Sequence, residues 1–162
     1  MSNQAAAVSS AMSKTLPRDV AAMSDGEVEA LYAYGHGLFT MRRYPQALQI
    51  LTLAMLLRPK VLRYMIAVGL GHRMLGQDGP AMAVFQMAVM VHPSRLEPRV
   101  HLADCALLSG QAGLALDCAR DALRCPSQGG SFEAPLRQRA QVILERGSPS
   151  ARPAVPVVLV VQ

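Results

Sequence analysis

A 34-residue spacing constrains this sequence more than any other feature. Ala47, Ala81 and Ala115 stand at that spacing. Other columns of small or apolar residues keep it: Gly35, Gly69 and Ala103; Ala54, Ala88 and Ala122; and Leu51, Phe85 and Ala119. Thirty-four residues is the period of the tetratricopeptide repeat, in which each unit is a pair of helices joined by a turn. The sequence therefore predicts an all-α solenoid.

The small residues and the prolines explain how such repeats would pack. Gly35, Gly69 and Ala103 would let the first helix of each repeat, helix A, approach its partner, helix B, closely. Pro59 and Pro93 would end helix B, because proline lacks an N–H donor and disfavours helix in the residue before it. We expect three repeats, over 28–61, 62–95 and 96–126. Their helices should span about 27–41, 45–57, 61–75, 79–91, 95–109 and 112–124.

The two ends of the chain differ from the repeats. The segment SFEAPLRQRAQVILERG offers Ser131 as an N-cap and Gly147 as a stop, and its apolar residues fall on one face. It predicts a capping helix at 131–146. Residues 1–24 fit either a short helix or a disordered segment. Residues 147–162 begin with a linker-like GSPSARPAVP and end in VVLVVQ, and they are expected to form a flexible tail.

The basic charge raises the question of nucleic acid. The formal net charge is +5 and the pI about 9.6. The arginines are nevertheless spread along the chain, with Arg42 and Arg43 as the adjacent pair, and no basic run is interleaved with aromatics. We therefore expect no nucleic-acid binding. If it occurred, the affinity would fall steeply with salt.

Motifs for chemistry, metals and export are missing from the sequence. It contains no GxSxG, HExxH, P-loop or GxGxxG pattern, so we expect neither an enzyme nor a cofactor. The three cysteines form no CxxC and have no histidines at metal spacing, so buried thiols in a reducing cytosol are expected. No signal peptide and no apolar stretch of about 18 residues is found, which predicts a cytoplasmic protein without membrane insertion.

Binding is the function that a helical solenoid favours, because its A helices line a concave groove. Counting from the start of each repeat, we expect the following residues to face it: Tyr32, His36, Phe39, Arg63, Ile66, Leu70, Arg73, Val100, Asp104 and Leu107. Glu97 would lie near the rim. The apolar members predict pockets for apolar ligand side chains, and the charged members would orient a peptide. Alternatively, some of them pack against the next repeat or the terminal helix.

Three stretches of the repeats carry a family resemblance. They are ALYAYGHGLFTMRRYPQAL, RYMIAVGLGHRMLGQDGPAMAVFQMAVMVHP and EPRVHLADCALLSGQAGLAL. Together they resemble the class II chaperones of bacterial type III secretion systems over about residues 28–125. The GLGHRMLGQ and PRVHLADCALLSGQ segments are the most telling, since the general tetratricopeptide consensus would not supply both.

The resemblance implies a cytosolic chaperone that keeps hydrophobic translocators soluble and competent for secretion. A short extended segment of the translocator would insert apolar residues into pockets of the first two repeats. The residues carried over are Tyr32, Phe39, Ile66 and Leu70, framed by His36, Arg63 and Arg73. Members of this family often self-associate through the N-terminal region, which implies a homodimer. They are usually acidic, whereas this chain has 14 Arg and 2 Lys.

Two further hypotheses follow from the sequence. The first is a generic tetratricopeptide scaffold that joins folded proteins through its convex face or its terminal helix. The second concerns the tail, whose PAVPVVLVV segment would fold back into the empty groove as a placeholder.

Overall fold

The computed structural model describes residues 22–127, 129–130 and 133–147. The predictions for residues 1–21, for Ser131 as an N-cap and for the tail at 148–162 lie outside these ranges. Within them the chain is helical and contains no strand. Its helices are α1 (Asp25–Thr40), α2 (Tyr44–Leu57), α3 (Leu62–Met74), α4 (Asp78–Val91), α5 (Glu97–Leu108), α6 (Ala112–Arg124) and α7 (Glu133–Gly147).

Consecutive helices pack against each other along the chain. The pairs α1 and α2, α3 and α4, and α5 and α6 form three helical hairpins, while α2 and α3, and α4 and α5, join one hairpin to the next. Helix α7 packs against α6 and also against α5. The predicted fold class is confirmed: it is a helical solenoid of three repeats closed by a C-terminal capping helix.

A capping box fixes the start of α1. The Ser24 backbone N–H donates to Oε2 of Glu27 at 2.7 Å, and the Glu27 N–H donates to the Ser24 Oγ at 3.3 Å. The Ser24 hydroxyl also donates to Oε2 of Glu27 at 2.7 Å, and this bond together with the one from the Ser24 backbone N–H lowers the pKa of the Glu27 carboxyl. Helix α1 therefore begins at Asp25, two residues before the expected position. The SDGE sequence carries the signature of this box, serine followed three residues later by glutamate.

The turn inside each repeat uses a left-handed residue. Arg42, Gly76 and Gly110 have φ of 60°, 69° and 73° and are spaced 34 residues apart. Each donates its backbone N–H to the carbonyl three residues earlier, at 2.9 to 3.1 Å. Glycine adopts this conformation without steric cost, whereas a side chain destabilises it. The first repeat therefore has a less favourable turn residue than the other two.

The core is built around the repeated small residues. Ala47, Ala81 and Ala115 are fully buried, as their column predicts. The buried residues divide into two hydrophobic clusters: one joins the first repeat to the second, and the other joins the second repeat to the third and to α7. The second repeat contributes to both clusters. Its helix α3 is accordingly buried without interruption from Tyr64 to Gly69.

Candidate binding groove

A cavity of about 560 Å³ opens between α1, α3 and the start of α5. Six of the ten predicted groove residues line it: Tyr32, His36, Phe39, Arg63, Ile66 and Leu70. The first three lie on α1 and the others on α3. Most of these side chains are apolar, so the cavity is suited to the apolar groups of a ligand.

The lining also includes residues that the sequence interpretation missed. They are Leu51, Val61, Leu62, Ala67, His92 and Arg95, together with Glu97, which was expected near the rim. Leu51 reaches the cavity from α2, while Val61, His92 and Arg95 belong to the junctions between repeats. Counting positions on the A helices could not find these four residues, whereas Leu62 and Ala67 lie on the A helix α3 and were not counted. The Leu51 column in the repeat alignment was the available signal.

An aromatic and ionic network fixes Arg63 at the rim. Its guanidinium carbon lies 5.5 Å from the ring centroid of Tyr32 and 5.3 Å from that of Tyr64. Arg63 also forms an ion pair with Glu29, which accepts a hydrogen bond of 2.8 Å from the Tyr64 hydroxyl. Cation–π contacts with two rings hold the guanidinium in place. The charge at this edge is therefore positioned before any ligand arrives.

Burial alters the ionisation of two groove residues. It raises the pKa of the Tyr32 hydroxyl, so this side chain is neutral at neutral pH. It also raises the pKa of the Glu97 carboxyl, against the opposing effect of Arg95. Across the same cavity, Nε2 of His92 is buried and has no hydrogen-bond partner among the described residues. The groove thus combines apolar walls with a few polar groups at its edges.

The other four of the ten predicted residues do not line the cavity. Val100 is completely buried, and Leu107 packs against the cluster shared with α7. Asp104 is 8% exposed and accepts a hydrogen bond of 2.8 Å from Nε of Arg139 on α7. Arg73 turns to the same carboxylate, with Nη1 3.9 Å from Oδ2. The third repeat therefore packs against the terminal helix, the alternative that the sequence left open.

Sequence comparison finds no family: no protein-family model and no curated protein matches. Solved structures do match. PcrH from Pseudomonas aeruginosa superposes with a TM-score of 0.72 at 22% identity, over 77% of this chain and 94% of PcrH. The Yersinia enterocolitica type III secretion chaperone SycD, in complex with a peptide of the translocator YopD, gives 0.71 at 19% identity, over 76% and 94%. This chain has the fold of those chaperones.

PcrH has also been solved with the chaperone binding region of PopD, and that structure matches with a TM-score of 0.72 at 21% identity, over 78% of this chain and 94% of that one. At this level of identity the likeness shows the fold. In this chain, the four apolar residues that the family resemblance singled out share one cavity. They are Tyr32, Phe39, Ile66 and Leu70.

Cys105, Cys118 and Cys125 are free thiols, and burial raises the pKa of Cys105 to about 11. The described residues contain no group of three or more His, Cys, Asp or Glu side chains placed to hold a metal ion. None of the described helices is both long enough and apolar enough to cross a membrane.

Proposed function

We propose that this protein is a chaperone that binds an extended apolar segment of a type III secretion translocator in the groove. Bound in this way, the translocator stays soluble until it is secreted. The observation that carries the proposal is the apolar cavity formed by the first two repeats in this fold. Chains of the same fold have been solved with the chaperone binding regions of PopD and PopB and with a peptide of YopD.

The groove chemistry suits such a segment. Side chains of an extended peptide alternate in direction, so every second residue would enter the cavity while its neighbours face solvent. Each apolar side chain that becomes fully buried contributes about 1.5–3 kcal/mol, so a few anchors suffice for binding. Arg63, held by Glu29 and the tyrosine rings, would donate hydrogen bonds to carbonyl groups of the segment.

The proposed role is holding rather than catalysis. It requires no cofactor and would be performed in the cytoplasm, where a translocator is kept before export. Self-association into a homodimer through the N-terminal region is proposed with it. That region lies largely outside the described residues.

Co-expression with a hydrophobic translocator tests the proposal. The wild-type chain should yield a soluble complex, and Tyr32→Ala combined with Leu70→Ala should abolish capture. Leu108→Ala is the matched control, because Leu108 is 66% exposed and does not line the cavity. If the double variant captures the translocator as well as the wild type does, the groove is not the binding site.

Apolar residues outside the groove favour a second candidate function, a scaffold for folded proteins. Tyr34, Met41, Met74 and Met90 are each more than half exposed. A scaffold of this kind would bind partners that are soluble on their own, and the groove substitutions would not affect it. The same co-expression series therefore separates the two functions.

A further inference from the structure

The carboxylate of Asp104 lies between arginines from two other helices. Oδ1 accepts from Nε of Arg139 at 2.8 Å and is 2.7 Å from Nη2 of the same residue. Oδ2 is 3.9 Å from Nη1 of Arg73. Asp104 lies on α5, Arg139 on α7 and Arg73 on α3. One buried carboxylate thus ties the capping helix to the second and third repeats.

The equivalent positions of the first two repeats carry other residues in place of this aspartate. The residues 34 and 68 positions before Asp104 are Leu70 and His36, and both line the groove. A buried carboxylate is costly unless it is paired, so Asp104 requires a cation at the place where earlier repeats leave an open wall. Arg139 supplies that positive charge, and because Arg139 lies on α7, the ion pair holds α7 against the third repeat.

Apolar contacts extend the same closure along the third repeat. Val100 corresponds to Tyr32 and Ile66 in the column, yet it is completely buried whereas they line the cavity. Residues of α7 belong to the hydrophobic cluster that covers it: Leu136, Ala140, Ile143 and Leu144. The third repeat therefore has no open part of the groove at these positions.

We propose that Asp104 determines the length of the segment that the groove accepts. Its ion pair with Arg139 holds α7 against the third repeat, so a bound segment extends along the first two repeats and stops at the start of α5. This inference rests on the proposed function. With helices packed about 10 Å apart and about 3.3 Å per extended residue, the open part fits about six residues.

The test measures how affinity depends on peptide length. Nested peptides of about 6 to 15 residues are cut from the translocator segment that co-purifies with the chain, and binding is followed by fluorescence anisotropy. With the wild-type chain, lengthening the peptide beyond the open part should change the affinity less than about twofold. Asp104→Leu introduces the residue found at the matching place in the second repeat. In this variant the affinity should rise about fivefold or more as the peptide lengthens by about three residues, one helix spacing.

Two further variants separate this role from a general effect on folding. Arg139→Gln removes the α7 partner of Asp104 but leaves Arg73 in place, and it should shift the length dependence in the same direction. It should also speed amide exchange in α7. Arg120→Gln is the control, because Arg120 pairs with Asp117 on the surface of α6 and should leave both readouts unchanged.

The outcomes are distinguishable. A wild-type affinity that keeps rising with peptide length would overturn the role of Asp104 and leave the proposed function standing. The role of Asp104 would also be overturned if affinity depended on peptide length in Asp104→Leu and Arg139→Gln as it does in the wild type. If no translocator is captured and no peptide of any length binds, the proposed function fails, and this inference fails with it.

Discussion

The ring of Phe85 occupies the space that a side chain at Gly69 would need. A Cβ added at Gly69 would overlap three carbons of the ring, the farthest of them 2.9 Å away. Phe85 is completely buried and stacks on His101 of the next repeat, with ring centroids 5.2 Å apart. The contact between helices α3 and α4 therefore depends on the missing side chain, and it positions a ring that the following repeat packs upon.

We expect Gly69→Ala to destabilise the fold by about 1–3 kcal/mol, because the ring is enclosed and cannot move away freely. Gly113→Ala is the matched control: it also lies in a helix, but a Cβ there would meet nothing within 4 Å. That variant should change the free energy of unfolding by less than about 0.5 kcal/mol, because Gly113 is the second residue of α6 and the full glycine penalty applies to the middle of a helix. Urea denaturation measures both changes, and equal effects at the two sites would contradict the packing explanation.

The strained turn at Arg42 gives a prediction of the opposite sign. Arg42→Gly should raise the free energy of unfolding by up to about 1 kcal/mol, because glycine removes the left-handed strain at the cost of a more flexible unfolded chain. Gly76→Ala, at the equivalent position of the second repeat, should lower it by about 1–2 kcal/mol. Thermal unfolding of the two variants provides the measurement. A loss of stability in Arg42→Gly would show that the arginine side chain contributes more than the strain costs.

Buried His101 makes stability depend on pH. Burial and, to a lesser degree, Arg73 lower its pKa to about 4, while Asp104 opposes them. Because the unfolded pKa is about 6.5, the unfolded state binds the proton more readily, so stability is full above pH 6.5 and falls as the pH drops toward 4. The maximum loss is about 3 kcal/mol. In His101→Phe the urea midpoint should change less between pH 7 and pH 4.5 than in the wild type, and equal slopes would contradict this assignment.

The Glu29 and Arg63 pair should matter more for binding than for stability. Both side chains are about half exposed, so solvent screens their ion pair and it contributes little to the stability of the fold. Glu29→Gln keeps an acceptor for the Tyr64 hydroxyl but removes the charge that holds Arg63. We expect nearly unchanged thermal stability and weaker capture of the translocator, measured by anisotropy. Tyr64→Phe, which keeps the ion pair, is the control, and equal capture by Glu29→Gln and the wild type would contradict a role for the pair.

Much of the fold could be predicted because the same packing requirement occurs three times. The columns of small residues located the helix pairs, and the observed helices begin and end within about two residues of the expected positions. Helix α1 starts two residues earlier than expected because Ser24 and Glu27 form a polar cap that lies outside the apolar columns.

Six of the seven residues expected from the first two repeats line the cavity, whereas Val100, Asp104 and Leu107 of the third repeat do not. Equivalent positions have equivalent neighbours for Tyr32 and Ile66, which line the cavity, but not for Val100, which is completely buried. The reason is that α7 covers the third repeat. The repeat pattern does not predict the angle at which a terminal helix packs against the repeat before it. The change from Leu70 to Asp104 in one column was the clue, because a carboxylate at a buried position requires a partner.

The division of the core into two clusters has a consequence for how the molecule opens. The second repeat packs on both sides, and the buried residues of the two clusters are different, although Leu62 packs against both. In stacked repeats much of the stability comes from the interfaces between neighbouring repeats, so local opening tends to separate the chain at those interfaces. Native-state hydrogen exchange should therefore resolve two cooperative units, with the terminal helix and third repeat opening as one while the first repeat stays packed on the second.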